Sequence, residues 1–185
     1  LPMAALGFLI LWFGWFGFNG GSTLALNGEV PSIILNTILA GISGGLCALL
    51  WEVITSKQIS VEKIFNGSLA GLVAITASCN AVNYPSAIII GFIAGLVMLA
   101  SLSLLENRFK IDDVVGAIPV HGFAGVWGTL AVALFADESL FQSGVSRLAQ
   151  LGIQALGAGV CFVWSFGSIW LFMKLVNRFM PLRVT

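Results

Sequence analysis

Ile118-Pro-Val-His-Gly-Phe-Ala-Gly-Val-Trp-Gly-Thr-Leu-Ala-Val-Ala-Leu-Phe135 is an uninterrupted run without a single acidic or lysine/arginine side chain. With its flanks it reaches the length that a membrane crossing needs, about 20 predominantly apolar residues. His121 stands early in this run and is the only histidine among 185 residues. Gly122, Gly125 and Gly128 remove side-chain bulk where another helix can come close. A charged imidazole at membrane depth is costly, so an intramembrane histidine is by default a candidate functional group. The competing reading is a neutral histidine hydrogen-bonded between helices. This stretch alone leaves both open.

The composition agrees with a membrane setting. Hydrophobic residues make up 58% and charged residues 9%, with a mean hydropathy of +1.03. A soluble domain carries about 25% charge, so the pattern predicts an all-α, polytopic membrane protein in contact with a lipid bilayer. The formal net charge is zero, which removes any case for a nucleic-acid partner. Cys47, Cys79 and Cys161 are odd in number, far apart, and set in or beside apolar runs. They read as small buried residues, not as a disulfide framework or a metal site. The chain opens on Leu1-Pro2 with no basic leader and stops at Thr185, which suggests a fragment of a longer protein.

Six spans are predicted, at about 2–22, 32–54, 64–79, 86–105, 114–136 and 147–176, within a single transmembrane domain over 1–185. Pro31 and Pro85 suit the first turns of the second and fourth. Gly41, Gly44 and Gly45, then Gly67, Ala70 and Gly71, then Gly91 and Gly95 supply close-packing positions. The sixth span is longer than a perpendicular crossing needs, so it is tilted or projects from the bilayer.

Basic residues set the orientation, because they are attracted to the cytoplasmic side. Lys57, Lys63, Arg108, Lys110, Lys174, Arg178 and Arg183 fall on one side of an alternating six-span arrangement, and Arg147 alone falls on the other. Both ends of the chain are therefore expected in the cytoplasm.

On the first span Leu11, Trp15, Phe18 and Ser22 lie at offsets 0, 4, 7 and 11 and share one helical stripe. Its aromatic faces can hold a cation and Ser22 can accept a hydrogen bond. The same aromatics also suit an interfacial belt that anchors the protein in the bilayer. No span interior carries a carboxylate: Glu52 sits near the end of span two, and Asp112 and Asp113 precede span five, where they suit a helix N-terminus. With one histidine and no central carboxylate, neither a hydrolytic triad nor a metal cluster nor a phosphate loop can be assembled. The expectation is no enzyme, no cofactor and no metal. An apolar path broken by one imidazole suits a small, nearly neutral permeant better than a hydrated ion, which would meet no ring of carbonyls or carboxylates.

Four motifs now become recognisable. Trp12-Phe-Gly-Trp-Phe-Gly-Phe-Asn-Gly-Gly-Ser22 resembles a hallmark of the ammonium transporter (Amt/Mep/Rh) family, Amt branch. So does the Ile111–Phe135 run with its paired aspartates and Val-His-Gly. The Asn66-Gly-Ser-Leu-Ala-Gly-Leu-Val-Ala-Ile-Thr-Ala77 and Ala87–Gly95 segments are also similar, and all four occur in the family's order. The family's proline after the paired aspartates is replaced here by Val114, while Pro119 stands two residues before His121.

The resemblance implies an eleven-helix fold of two inverted five-helix repeats and a long last helix, of which these six spans would be the second repeat plus that last helix. Carried over by position, His121 is similar to the second of the family's paired pore histidines. Phe18 resembles the inner of two stacked gate phenylalanines, Ser22 the hydroxyl of the recruitment site, and Trp15 a pore-lining tryptophan. Leu11 and Ala117 are implied pore-wall positions. The first histidine and the remaining vestibule residues belong to the first repeat and are not in this chain. The implied function is ammonium/ammonia transport through a hydrophobic pore, by a homotrimer in the plasma (cell inner) membrane. A PII-type signal protein is an implied partner of the full-length chain. Two alternatives remain: an ammonium sensor of the same fold signalling to a cytoplasmic domain, or a structural half that does not function alone.

Overall fold

The computed structural model describes residues 1–55, 58–142, 144–180 and 182. Six α-helices follow one another: α1 (Pro2–Gly21), α2 (Val30–Thr55), α3 (Val61–Thr76), α4 (Tyr84–Ser103), α5 (Ala124–Phe135) and α6 (Arg147–Phe179). A π-helical turn, Leu104–Phe109, extends α4, and a second, Ile118–Phe123, leads into α5. Among the described residues five helices, each taken with its π-helical extension, are long and apolar enough to cross a membrane. The exception is α3, at 16 residues. Its shortness goes with its place: seven of its residues are buried between neighbours.

The core is the α2–α3–α4 cluster, and glycine builds it. A Cβ placed on Gly44 would overlap the Gly67 carbonyl, and one on Gly71 or Gly91 would overlap the carbonyl of Ala40. Backbones thus touch directly, which is how helices associate where lipid is as apolar as leucine. Between them Ile33, Leu72, Ile75, Ile90 and Met98 are sealed from solvent. Buried and half-buried polar side chains tie the helices to one another. Asn36 Nδ2 donates to the carbonyls of Cys79 and Val82, both at 2.9 Å. Asn19 Nδ2 donates to Thr37 Oγ1 at 2.9 Å, fixing α1 to α2. Trp127 Nε1 donates to the Ile90 carbonyl at 3.0 Å, joining α5 to α4.

The fifth helical segment starts at Ile118, not near Val114. Val114 and Val115 form a turn, and Gly116 adopts φ +70°. Pro119 then lacks an amide proton for an ordinary helical bond, and the widened π turn is where the chain accommodates it. Cys47 and Cys79 are buried as small apolar residues, whereas Cys161 is exposed on α6. The reason is that α6 leans mainly on α5 and buries none of its own residues. At 1.5 Å per residue its 33 residues extend about 50 Å, well beyond a hydrocarbon core of about 30 Å.

The loops sort to two ends. Lys63 bonds Glu52 at 2.9 Å, and Asn66 reaches Val115, so the α2–α3 and α4–α5 connections share one end. The Asp137 amide donates to the Ala81 carbonyl at 3.2 Å, bringing the α3–α4 and α5–α6 connections together at the other. Lys57 and Arg183, both used in the charge count, lie outside the described residues.

Arg147, the lone cation at the second end, has a structural role. Its Nη1 donates to the Ala133 carbonyl at 2.9 Å, its Nη2 to Ala136 at 3.2 Å, and its Nε to Glu138 Oε1 at 2.9 Å, with Phe141 stacked 5.7 Å away. It closes the carbonyl end of α5, where a cation is favoured. Asp137 beside it is held below the usual carboxylate range by the Ser139 amide. That contribution is present above the unfolded carboxylate value and is lost as pH falls through the lowered one, so this corner loosens only in acid. Arg147→Ala should destabilise the full-length protein by about 1.5–3 kcal/mol, the range for hydrogen bonds to a charged group. Arg147→Lys should recover less than half, because an ammonium cannot reach the same three acceptors as a fork. Thermal unfolding in detergent reads both, and an unchanged midpoint for the alanine variant contradicts the role.

Candidate functional site

The sequence stripe on α1 divides into two parts in the structure. Leu11 faces a cavity of about 550 Å³ that Ala117 and His121 also line. Three of the six candidate residues therefore meet around one space. The other three form a ladder further along α1. The Trp15 ring lies 5.9 Å from Phe18 in an edge-to-face pair, and Ser22 Oγ donates to the Phe18 carbonyl at 2.6 Å.

The ladder is held in place by a residue that the sequence reading passed over. Trp15 Nε1 donates to Thr76 Oγ1 at 2.9 Å, while that hydroxyl donates to the Leu72 carbonyl at 2.8 Å. The indole N–H is thus spent on the scaffold, and Trp15 offers neighbours its ring, not a donor. Phe18 is 56% exposed, so its ring is free to meet something outside this chain. Ser22 donates its one hydroxyl proton to Phe18 and keeps lone pairs for accepting.

His121 lies in the π turn Ile118–Phe123, exposed toward the cavity. Among the described residues its imidazole has no hydrogen-bond partner. Below it the cavity wall turns polar, with Glu62, Lys63, Asn66, Glu106 and Asp113. Toward α1 it is apolar, and Phe8 stacks on Phe65 at 4.5 Å. The space therefore grades from hydrocarbon at Leu11 to charge at the loop end, with the one imidazole between.

Asp113 anchors the His121 segment. Its Oδ1 accepts from the Ala117 amide at 3.0 Å and its Oδ2 from the Ile118 amide at 2.7 Å. This is the helix-start role expected of the paired aspartates, and a carboxylate is well placed there. Asn66 and Thr76 had one visible signal, their place inside the Asn66–Ala77 motif. Their bonding partners, distant along the chain, had none.

The sequence model of the Ammonium Transporter Family matches residues 1–185 of this chain. The chain belongs to the ammonium transporter family. A relative from Synechocystis sp. is 50% identical over 186 residues, covering all of this chain and 34% of its own length. Ammonium transporter Amt2 of Archaeoglobus fulgidus is 40% identical over 196 residues, covering all of this chain and 42% of its own. Among solved structures, one called Sensor Amt Protein superimposes with a TM-score of 0.96 at 50% identity, covering 100% of this chain and 46% of that one. The chain thus spans less than half the length of these family members. The helical arrangement described above is a portion of an ammonium transporter fold.

Proposed function

We propose that this chain is the C-terminal half of an Amt-type ammonium transporter and forms one wall of its pore. The observation that carries the reading is the chain's single imidazole, His121, exposed to a cavity that it lines together with Leu11 and Ala117. Ammonium is bound outside near Ser22, whose lone pairs accept its N–H groups. At an aromatic gate that includes Phe18 it releases its proton to water at the outer mouth, and the neutral ammonia enters the apolar path. Ammonia then moves past the Trp15 ring and beside His121, whose neutral ring accepts or donates a hydrogen bond. The other half of the protein supplies the second histidine and the facing wall.

In this reading the six helices are the second inverted repeat and the long last helix of eleven, and α3 crosses with its neighbours despite its length. The Lys63 end is cytoplasmic, as are both ends of the chain, in the cell's inner membrane. The full protein is a homotrimer, open to a PII-type signal protein on that face. Full-length protein with His121→Ala or His121→Asp, reconstituted in vesicles, tests the pore role. Ammonium-driven flux should fall toward that of empty vesicles, or potassium should be admitted. Unchanged transport and selectivity would overturn the proposal.

The kinship to Sensor Amt Protein, at 50% identity, favours one second reading. Ammonium occupancy of the same site would then be signalled to a cytoplasmic domain. Saturable ammonium binding by the full-length protein without flux would select it over transport.

A further inference from the structure

The backbone leading to His121 is weakly self-supporting. Gly116 is in the left-handed region, Pro119 donates no backbone hydrogen bond, and the turn that follows is π-helical. The π turn itself is seated by Pro119 and Val120, which are buried against α3 and α4, so the loop before it is the part that needs a hold from outside. Asp113 grips the Ala117 and Ile118 amides, but it belongs to the same loop and moves with it. The hydrogen bond that reaches this loop from another helix comes from Asn66 on α3. Its Nδ2 donates to the Val115 carbonyl at 3.1 Å, across 49 residues of chain. The same amide lies close to the next residue, since a Cβ on Gly116 would come within 2.7 Å of Asn66 Nδ2. From there the chain runs directly to the histidine: the Val120 amide donates to the Gly116 carbonyl at 3.1 Å, and His121 follows.

We infer that Asn66 is a positioning residue for His121, fixing the imidazole's height on the cavity wall by holding Val115 and Gly116 against α3. The inference rests on the pore role proposed for His121. Asn66 acts through the backbone and needs no contact with the permeant. A small misplacement of a group that meets a substrate can lower a rate about a hundredfold, so even a slight shift passed from Val115 and Gly116 to His121 is enough.

The test uses full-length protein in vesicles, with flux normalised to folded protein and the ammonium to methylammonium flux ratio as second readout. Asn66→Ala should lower ammonium flux about tenfold and shift that ratio. Asn66→Asp keeps the shape and loses the donor, so it should behave like Asn66→Ala. In a His121→Ala background, Asn66→Ala should produce no further shift in the ratio. Wild-type flux and ratio in Asn66→Asp would overturn the inference. So would a loss of folded protein with an unchanged ratio in what remains. If His121→Ala itself transports normally, the pore reading fails; if His121→Ala is defective while both Asn66 variants are normal, only the positioning role fails.

Discussion

Gly71→Val should prevent the full-length protein from reaching a stable folded state, and Gly71→Ala should lower its thermal midpoint sharply. The added Cβ meets the Ala40 carbonyl oxygen, a backbone atom on α2, and the Ala40 carbonyl carbon lies 2.9 Å away. No side chain can swing aside, so the α2–α3 pair must separate. Overpacking in a close-packed core costs about 1–3 kcal/mol when side chains can shift; here the cost should exceed about 3 kcal/mol for valine, because the obstacle is main chain. Gly91 on α4 faces the same carbonyl from the other side. Once either glycine is changed and Ala40 displaced, the second change should cost less, so Gly71→Ala and Gly91→Ala should combine sub-additively. Gly28→Ala, where nothing lies within 4 Å, is the silent control. Yield of monodisperse protein and unfolding midpoint in detergent are the measurements. A Gly71→Ala protein as stable as the parent would mean that α2 and α3 do not touch through backbone.

That sensitivity explains which parts of the fold were legible in the sequence. Helix count and order follow from apolar runs between polar loops, and small-residue spacing marked the faces that meet among α2, α3 and α4 and at Gly128, whereas Gly122 meets only Ile118 of its own turn. Pro31 and Pro85 stand in the first turns expected of them. Hydropathy, however, reports the length of an apolar run and not the hydrogen-bond geometry at its end. The delayed start of the His121 segment arises from the Asp113 grip, the Gly116 conformation and Pro119 acting together. The exposure of Cys161 was equally hidden, since a cysteine in an apolar run is buried only if another helix covers that face.

The candidate site was readable to a similar depth. A helical stripe puts Leu11, Trp15 and Phe18 along α1 and Ser22 at its C-cap, but a stripe is not a cavity. Leu11 opens to the space shared with His121, whereas Trp15 is turned to Thr76 on α3. Which end of a stripe faces which neighbour depends on how α1 lies across α3, and helical periodicity carries no such information. Thr76 and Asn66 act through partners 61 and 49 residues away. One sequence gives no mark for a long-range pair of that kind.

The loop end of the cavity holds the second large expected effect. Glu52 is 1% exposed, the deepest carboxylate among the described residues, and Lys63 Nζ donates to its Oε1 at 2.9 Å. The Ser60 amide donates to Oε2 at 3.1 Å, and the Ser60 hydroxyl accepts from the Lys63 amide at 3.4 Å, capping α3. One carboxylate therefore organises the corner at which α2 hands over to α3. Lys63→Met removes the cation and leaves the buried charge to the remaining donors. Breaking a fully buried pair costs about 3–5 kcal/mol, but the Lys63 side chain is 39% exposed and water screens part of the attraction. The expected loss is about 2 kcal/mol. Adding Glu52→Gln should return most of it, because the amide oxygen still accepts from Ser60 while no charge remains to be compensated. The double variant should therefore be more stable than Lys63→Met alone, as read by unfolding of the full-length protein in detergent. Equal stability of the two would mean that the Glu52 charge is not what Lys63 serves. Lys63 also lines the cavity beneath His121, so flux by the refolded double variant separates its two roles: parent-like flux assigns Lys63 to the corner, and a persistent defect assigns it to the permeation path as well.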